Sequence, residues 1–306
     1  MGIFRGRPIL KWGLVSGFTL LLVGLLAAWL YWQSLYRGMP ALPETAALWE
    51  ANREPAIEYV DRNGKTIAIR GPRYGRAIKI DELPPYVPRA FIAAEDKRFY
   101  EHDGAATQAM ARAAMSNVRS RRTVSGASTI TQQLVKNLVL SPEQTLKRKV
   151  QEVRLARQLE EKLSKSEILE LYLNRVYFGS GFYGLGAASR FYFGKDPQDL
   201  TLAEASLLAT LPKAPSRLAL DDNMEGAKQR QAYVLSEMLQ AGFITPESAQ
   251  IAMNADVALA PEPEQDPQFG FILDAATERA KEMIPELPDD MVIKLTIDAE
   301  LQTKVS

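Results

Sequence analysis

The sequence predicts a mainly α-helical protein, preceded by an N-terminal transmembrane helix and a small β-hairpin. Three observations predict this. Trp12 to Trp32, WGLVSGFTLLLVGLLAAWLYW, is an uncharged and mostly apolar run, long enough to cross a hydrocarbon core as a helix. The stretch IEYVDRNGKTIAI alternates like two short strands about an Asn63-Gly64 turn. From Arg89 to about Met253, apolar residues, alanine and long charged side chains recur at helical spacing. Breaks fall at Gly104, Gly126, the Gly179 to Gly186 cluster and Pro212 to Pro215.

The 306 residues leave room for one large or two modest domains, and a hydrophobic fraction of 46% is ample for a core. Net charge is zero, so nothing points to nucleic acid as a partner. The absence of cysteine and a single histidine, His102, exclude a disulfide framework, a thiol nucleophile and a cysteine or histidine zinc site. Catalysis would have to rest on carboxylates, hydroxyls, amides and fixed cations.

Arg5, Arg7 and Lys11 precede the apolar run, and only Arg37 follows before Glu44 and Glu50. The positive-inside bias makes 1–11 a cytoplasmic tail, 12–32 the membrane span and the remainder external. Tryptophan and tyrosine sit at the ends of the span, where interfacial rings belong. A cleaved signal peptide is the rival reading, but the run is long for one and lacks a small-x-small cleavage site. Gly13 and Gly17 form a GxxxG, a spacing common by chance. Residues 33–55, with Pro40 and Pro43, read as a linker and 56–255 as the folded body. Pro261 and Pro263 open a second linker, followed by the helical FILDAATERAKEM and the strand-like MVIKLTI. A new amphipathic helix is expected to begin at Asp298, so 256–306 is read as a linker and the start of a further domain.

Phe91, Glu95 and Phe99 recur at four-residue spacing, so a helical segment would put Glu95 on one stripe with two aromatic rings. A carboxylate there loses hydration, which raises its pKa toward a range useful for proton abstraction. The plain alternative is a charge at a helix end facing water. Thr129 and Gln132 fit a capping box, so a helix should start near Ser128 and carry Gln133 and Lys136 on one face. Free backbone donors, hydroxyls and a cation at such a start suit an anionic group; an ordinary surface helix with a solvated lysine fits equally.

In the next helix Arg148, Glu152, Leu155, Leu159 and Leu163 share a stripe, placing two charges where apolar residues follow. Charges on a core-facing stripe need partners. Either Lys149 and Arg148 neutralise Glu152 within the helix, or Glu152 is a second carboxylate flanked by cations in the same cleft as Glu95. GSGFYGLG matches GxGxxG but follows a helix and sits in no βαβ unit, so the dinucleotide reading is rejected. There is no SxxK or KTG for acyl-serine chemistry. His102 reads as a hydrogen-bonded packing residue rather than a base.

EDKRFYEHDG, GASTITQQLVKN, RKVQEVRLARQLEEKLSKSEILELYLN, the GFYGLGAASRFYFGK block and LAEASLLATLPKAPS, in this order and spacing, resemble the five motifs of peptidoglycan glycosyltransferases. That family forms the polymerase domain of class A penicillin-binding proteins and of monofunctional transglycosylases. The resemblance covers roughly Ile57 to Met253. The closing VIKLTIDAELQ looks like the entry to a transpeptidase domain, so a piece of a bifunctional enzyme is expected. Ala127 replaces a usual second glycine, and Ala105-Ala106-Thr107 departs from the family pattern.

The resemblance implies a lysozyme-like glycosyltransferase fold with a head and a membrane-facing jaw, for which Met110 to Arg122 is the candidate. It implies a hexosyltransferase of the inner (plasma) membrane that polymerises lipid II into β-1,4-linked strands with inversion. Glu95 would be the general base. Lys136, Arg148 and Lys149 would stabilise the undecaprenyl pyrophosphate leaving group, and Glu152 would orient these cations. Asp96, Ser128, Thr129, Gln133 and Asn137 are further expected substrate contacts. No resident metal is expected, although Mg²⁺ or another divalent cation would fit the substrate pyrophosphate. Expected partners are lipid II, the growing glycan strand, membrane lipid and other members of a cell-wall synthesis complex. The rivals are a muramidase, which needs an acid for a departing sugar oxygen, and a non-catalytic anchored scaffold.

Overall fold

A computed structural model of the chain describes residues 8–49, 56–71, 73–74, 77–104, 128–140, 145–261, 269–284, 290–299 and 301–302. The jaw candidate, Met110 to Arg122, lies outside them. The fold is mainly helical. The long apolar helix α1 (Pro8–Ser34) leads to strands β1 (Ala56–Val60), β2 (Thr66–Arg70) and β3 (Arg73–Tyr74). Helices α2 (Tyr86–Glu95), α3 (Ile130–Val139), α4 (Leu146–Lys162) and α5 (Lys165–Arg175) follow. After β4 (Phe182–Tyr183) come α6 (Leu185–Phe193), α7 (Leu202–Leu208), α8 (Pro215–Leu218), α9 (Met224–Gln240) and α10 (Pro246–Asn254). The described chain closes on α11 (Gly270–Met283) and β5 (Asp290–Lys294).

Helix starts follow the expected capping chemistry. Thr129, Ser164 and Thr201 each form a full capping box with Gln132, Glu167 and Glu204, which satisfies donors that a first helical turn leaves orphaned. α2 is the centre of the body: Val87, Ala90, Phe91, Ile92 and Ala93 are buried, and it packs against α7 and α9. One contiguous core runs from Leu48 and Val87 through Leu134, Leu155, Tyr172 and Leu207 to Met238. Leu48, within the 33–55 segment, is fully buried in that core, and Met39 and Leu42 pack beside it.

The hairpin forms as expected. Gly64 takes φ +89°, and Asp61 Oδ1 accepts from the Asn63 and Lys65 amides at 2.8 and 2.9 Å. Its partner was not foreseen: β1 also pairs in parallel with β5, giving the order β2-β1-β5. A separate small core of Tyr59, Phe269, Leu273 and Leu295 lies over this sheet. Tyr59 and Thr277 share a hydroxyl hydrogen bond of 2.5 Å.

Gly104 decides how closely the Glu95 segment approaches α4. Its φ is +75°, and a Cβ there would sit 2.7 Å from the backbone carbon of Ala156. Gly104→Ala should therefore destabilise the fold by roughly 1–3 kcal/mol, from strain and from pushing α4 away. A shift of the urea midpoint to lower concentration measures it; an unchanged midpoint would show that this contact yields freely.

Candidate active site

Glu95 is the last residue of α2; the next residue leaves the helix at φ −155° while its N–H still bonds to Ile92 O. The helix therefore stops short of Phe99, which sits in a separate short turn. The expected single stripe is thus interrupted, although both Phe91 and Phe99 are fully buried near the carboxylate's end of the helix. Glu95 Oε2 accepts a 2.8 Å bond from Gln133 Nε2. Its Oε1 is buried and has no hydrogen-bond partner among the described residues. Burial pushes the Glu95 carboxyl up from its ordinary range; the Gln133 bond and the charges of Lys213 and Arg230 oppose this, and Asp96 adds to it.

Gln133 is itself held: the fully buried Tyr172 hydroxyl donates to its Oε1 at 3.4 Å. Burial, and then the charges of Glu95 and Asp96, hold the Tyr172 hydroxyl well above its ordinary pKa, so it remains a neutral donor. Lys136 lies one turn beyond Gln133 and is exposed, as is Asn137. The Gln133 and Lys136 side chains leave one helix face about 5–6 Å apart at Cβ.

Lys149 of α4 meets the same helix start. Lys149 Nζ donates to Ser128 Oγ at 2.9 Å and to Gln132 Oε1 at 3.4 Å, and it forms a close ion pair with Glu152. Glu152 is 3% exposed, so this pairing removes the cost of a lone buried carboxylate. Glu152 is thus paired within its helix, by the same lysine that reaches Ser128 and Gln132. Arg148 Nε and Nη1 are buried with no hydrogen-bond partner among the described residues. A guanidinium left this way is expensive unless an anion arrives.

Asp96 and Thr129 are committed to the scaffold. Asp96 Oδ2 meets His102 Nε2 at 2.8 Å and accepts from the Ile130 N–H at 3.1 Å. Thr129 Oγ1 donates to Gly104 O at 2.8 Å and accepts from Gln132 N at 3.1 Å. His102, edge-on to Phe99, is a packing and hydrogen-bonding residue, as its sequence position suggests. Lys165 closes this layer by donating to His102 O at 2.6 Å and to Glu160 at 2.7 Å.

Two cations near Glu95 were missed. Lys213 ends the short turn Leu211–Lys213 within the LPKAPS motif, which could have marked it. Arg230, on α9, carries a buried Nε with no hydrogen-bond partner among the described residues and lies 5.2 Å from the Tyr233 ring; no local pattern announces it. No group of three or more histidine, aspartate or glutamate side chains converges among the described residues. Glu152 is engaged by Lys149, and Asp96 by His102 and the Ile130 amide. A groove of about 1040 Å³ lies by the N-terminal part of α2, between Tyr86, Phe193, Phe243 and Ile251.

The family model described as transglycosylase matches residues 63–239, a span holding every site residue from Glu95 to Arg230. The chain belongs to the transglycosylase family. Among similar proteins, penicillin-binding protein 1A of Neisseria lactamica is 43% identical over 245 residues, 80% of this chain and 30% of that protein. Penicillin-binding protein 1A of Escherichia coli is 46% identical over 212 residues, 69% of this chain and 25% of that protein. The solved structure of penicillin-binding protein 1A from Haemophilus influenzae aligns with a TM-score of 0.48 at 21% identity, over 76% of this chain and 25% of that one. The chain thus spans less than a third of the length of these relatives.

The raised pKa of Glu95 has a stability consequence for this transglycosylase domain. The folded chain holds the Glu95 proton more tightly than the unfolded chain, so its ionised form costs stability above the folded pKa and not below the ordinary value of 4.5. Glu95→Gln should raise the melting temperature by a few degrees near neutral pH, and the gain should vanish as pH falls through the folded pKa toward 4.5. A gain that stays constant with pH would assign it to packing.

Proposed function

We propose that this domain is a processive inverting glycosyltransferase that polymerises lipid II into β-1,4-linked peptidoglycan strands. One observation carries the reading: a desolvated carboxylate, Glu95, is hydrogen-bonded to the helix whose next turn bears Lys136 and whose start binds Lys149. A base and a basic wall are thereby joined through α3. Glu95 takes the proton of the acceptor 4-hydroxyl as its oxygen attacks the anomeric carbon of the donor. The bond from that carbon to the diphosphate oxygen breaks, and the pair of electrons leaves with the diphosphate. Its negative charge needs cations instead of a proton, and Arg148, with two buried unpartnered donors, Lys149 and Lys136 supply them. Glu152 orients Lys149. Ser128 and Asn137 border the same wall and would contact the donor. Any divalent ion would arrive with the diphosphate.

The reading also takes α1 as a single-pass anchor with a cytoplasmic N-terminus and an external domain. Val15–Ser34 is apolar enough to cross a membrane, and Arg5, Arg7 and Lys11 lie on its near side. Such a tether would hold the domain where a lipid-linked substrate resides.

Glu95→Gln should lower kcat/KM for strand synthesis from purified lipid II by roughly 10²-fold or more, with the circular dichroism spectrum unchanged. Full activity would remove Glu95 from the mechanism, and shortening of preformed glycan by the parent chain would favour a muramidase. In the parent the acid limb of the kcat/KM profile should fall above the ordinary glutamate value of 4.5, because Glu95 must be ionised to act. Lys136→Ala should raise the lipid II concentration needed for half-maximal rate about tenfold; an unchanged dependence would deny it a phosphate role.

A further inference from the structure

The helix that carries Arg148, Lys149 and Glu152 also grips the end of the membrane helix. α1 ends at Ser34, and the chain leaves it through a series of tight turns: Leu35, Tyr36 and Arg37 N–H bond to the carbonyls of Trp32, Gln33 and Ser34. The carbonyls of Leu35 and Arg37 receive no backbone donor among the described residues. Gln151 Nε2 donates to both, at 3.1 and 3.5 Å. Gln151 is 6% exposed and Leu35 likewise 6%, so the contact excludes water, and a buried carbonyl left unpaired there would be costly. Gly38, at φ +70°, turns the chain beneath Lys147, whose ammonium would lie 3.9 Å from a Cβ at that position.

We propose that Gln151 is a positioning residue that clamps the end of the anchor to α4 and so sets the depth of the basic wall relative to the membrane. The inference rests on the proposed lipid-linked substrate only for its functional part. Neighbouring helical residues point about 100° apart, so α4 directs Gln151 to the anchor while Lys149, paired with Glu152, reaches Ser128 and Gln132. Arg148 and Lys149 lie within about 5 Å of helical rise from the clamp. Exposed Trp29, Tyr31 and Trp32 occupy the last turns of α1, where interfacial rings sit at headgroup level. Leu146, in the first turn of α4, is 62% exposed. The clamp therefore places the cations at the depth of a lipid diphosphate.

The chain has no cysteine, so spin labels can be placed cleanly at the exposed sites Leu30→Cys on α1 and Lys162→Cys on α4. In liposomes the parent should give one narrow distance distribution. Gln151→Ala and the isosteric Gln151→Glu, which loses the donor, should both broaden it; narrow distributions in both would overturn the clamp. With lipid II in the same liposomes, kcat/KM should fall about tenfold in each variant, the worth of one strong hydrogen bond. In detergent micelles, where depth is not enforced, it should change less than about twofold. Equal losses in both media would mean a merely structural role. A parent chain that makes no polymer would sink the proposed function, while the label distances would still decide the clamp.

Discussion

The whole site depends on how α3 begins. Within a few residues, Thr129 ties the helix to Gly104, the Ile130 amide to Asp96, Gln132 to Lys149 and Gln133 to Glu95. Together the bonds reach the Glu95–Asp96 segment, the loop at Gly104 and α4. A capping box fixes the direction of the first turn, and that direction decides which side chains meet which wall. Were the turn to fray, the carboxylate and the cations would lose their common reference.

Burial sharpens what these contacts do. Glu95 has one oxygen hydrogen-bonded and one buried with no partner among the described residues. Glu152, by contrast, is almost fully enclosed and has a lysine against it. Two carboxylates of the same type thus stand in different surroundings, one held by a neutral amide and the other by a lysine. The guanidinium atoms of Arg148 and Arg230 that have no hydrogen-bond partner among the described residues add a demand for an anion, since an unmet buried donor costs more than a met one gains.

Local chemistry was legible in the sequence, and long-range assembly was not. The Thr129–Gln132 box, the α4 stripe and the Asn63-Gly64 turn all follow from spacing over a few residues. The aromatic stripe through Phe99 failed because α2 stops at Glu95, where Asp96 leaves the helix to bond His102 and Ile130. Arg230 and Lys213 reach Glu95 from segments far along the chain, so no periodicity could link them. The clasp of Gln151 on Leu35 joins groups 116 residues apart, and a glutamine on a charged helix carries no sign of such a partner.

The pairing of β1 with β5 bears on the order in which the molecule assembles. Tyr59 and Thr277, which close that layer, are 218 residues apart, and the ends of so long a loop meet only at a considerable entropic cost. Helices α2 to α10, rich in nearer contacts, can gather first and shorten the gap. The three-stranded sheet would then be the last layer to set and the first to loosen, a seam that opens while the helical body stays shut.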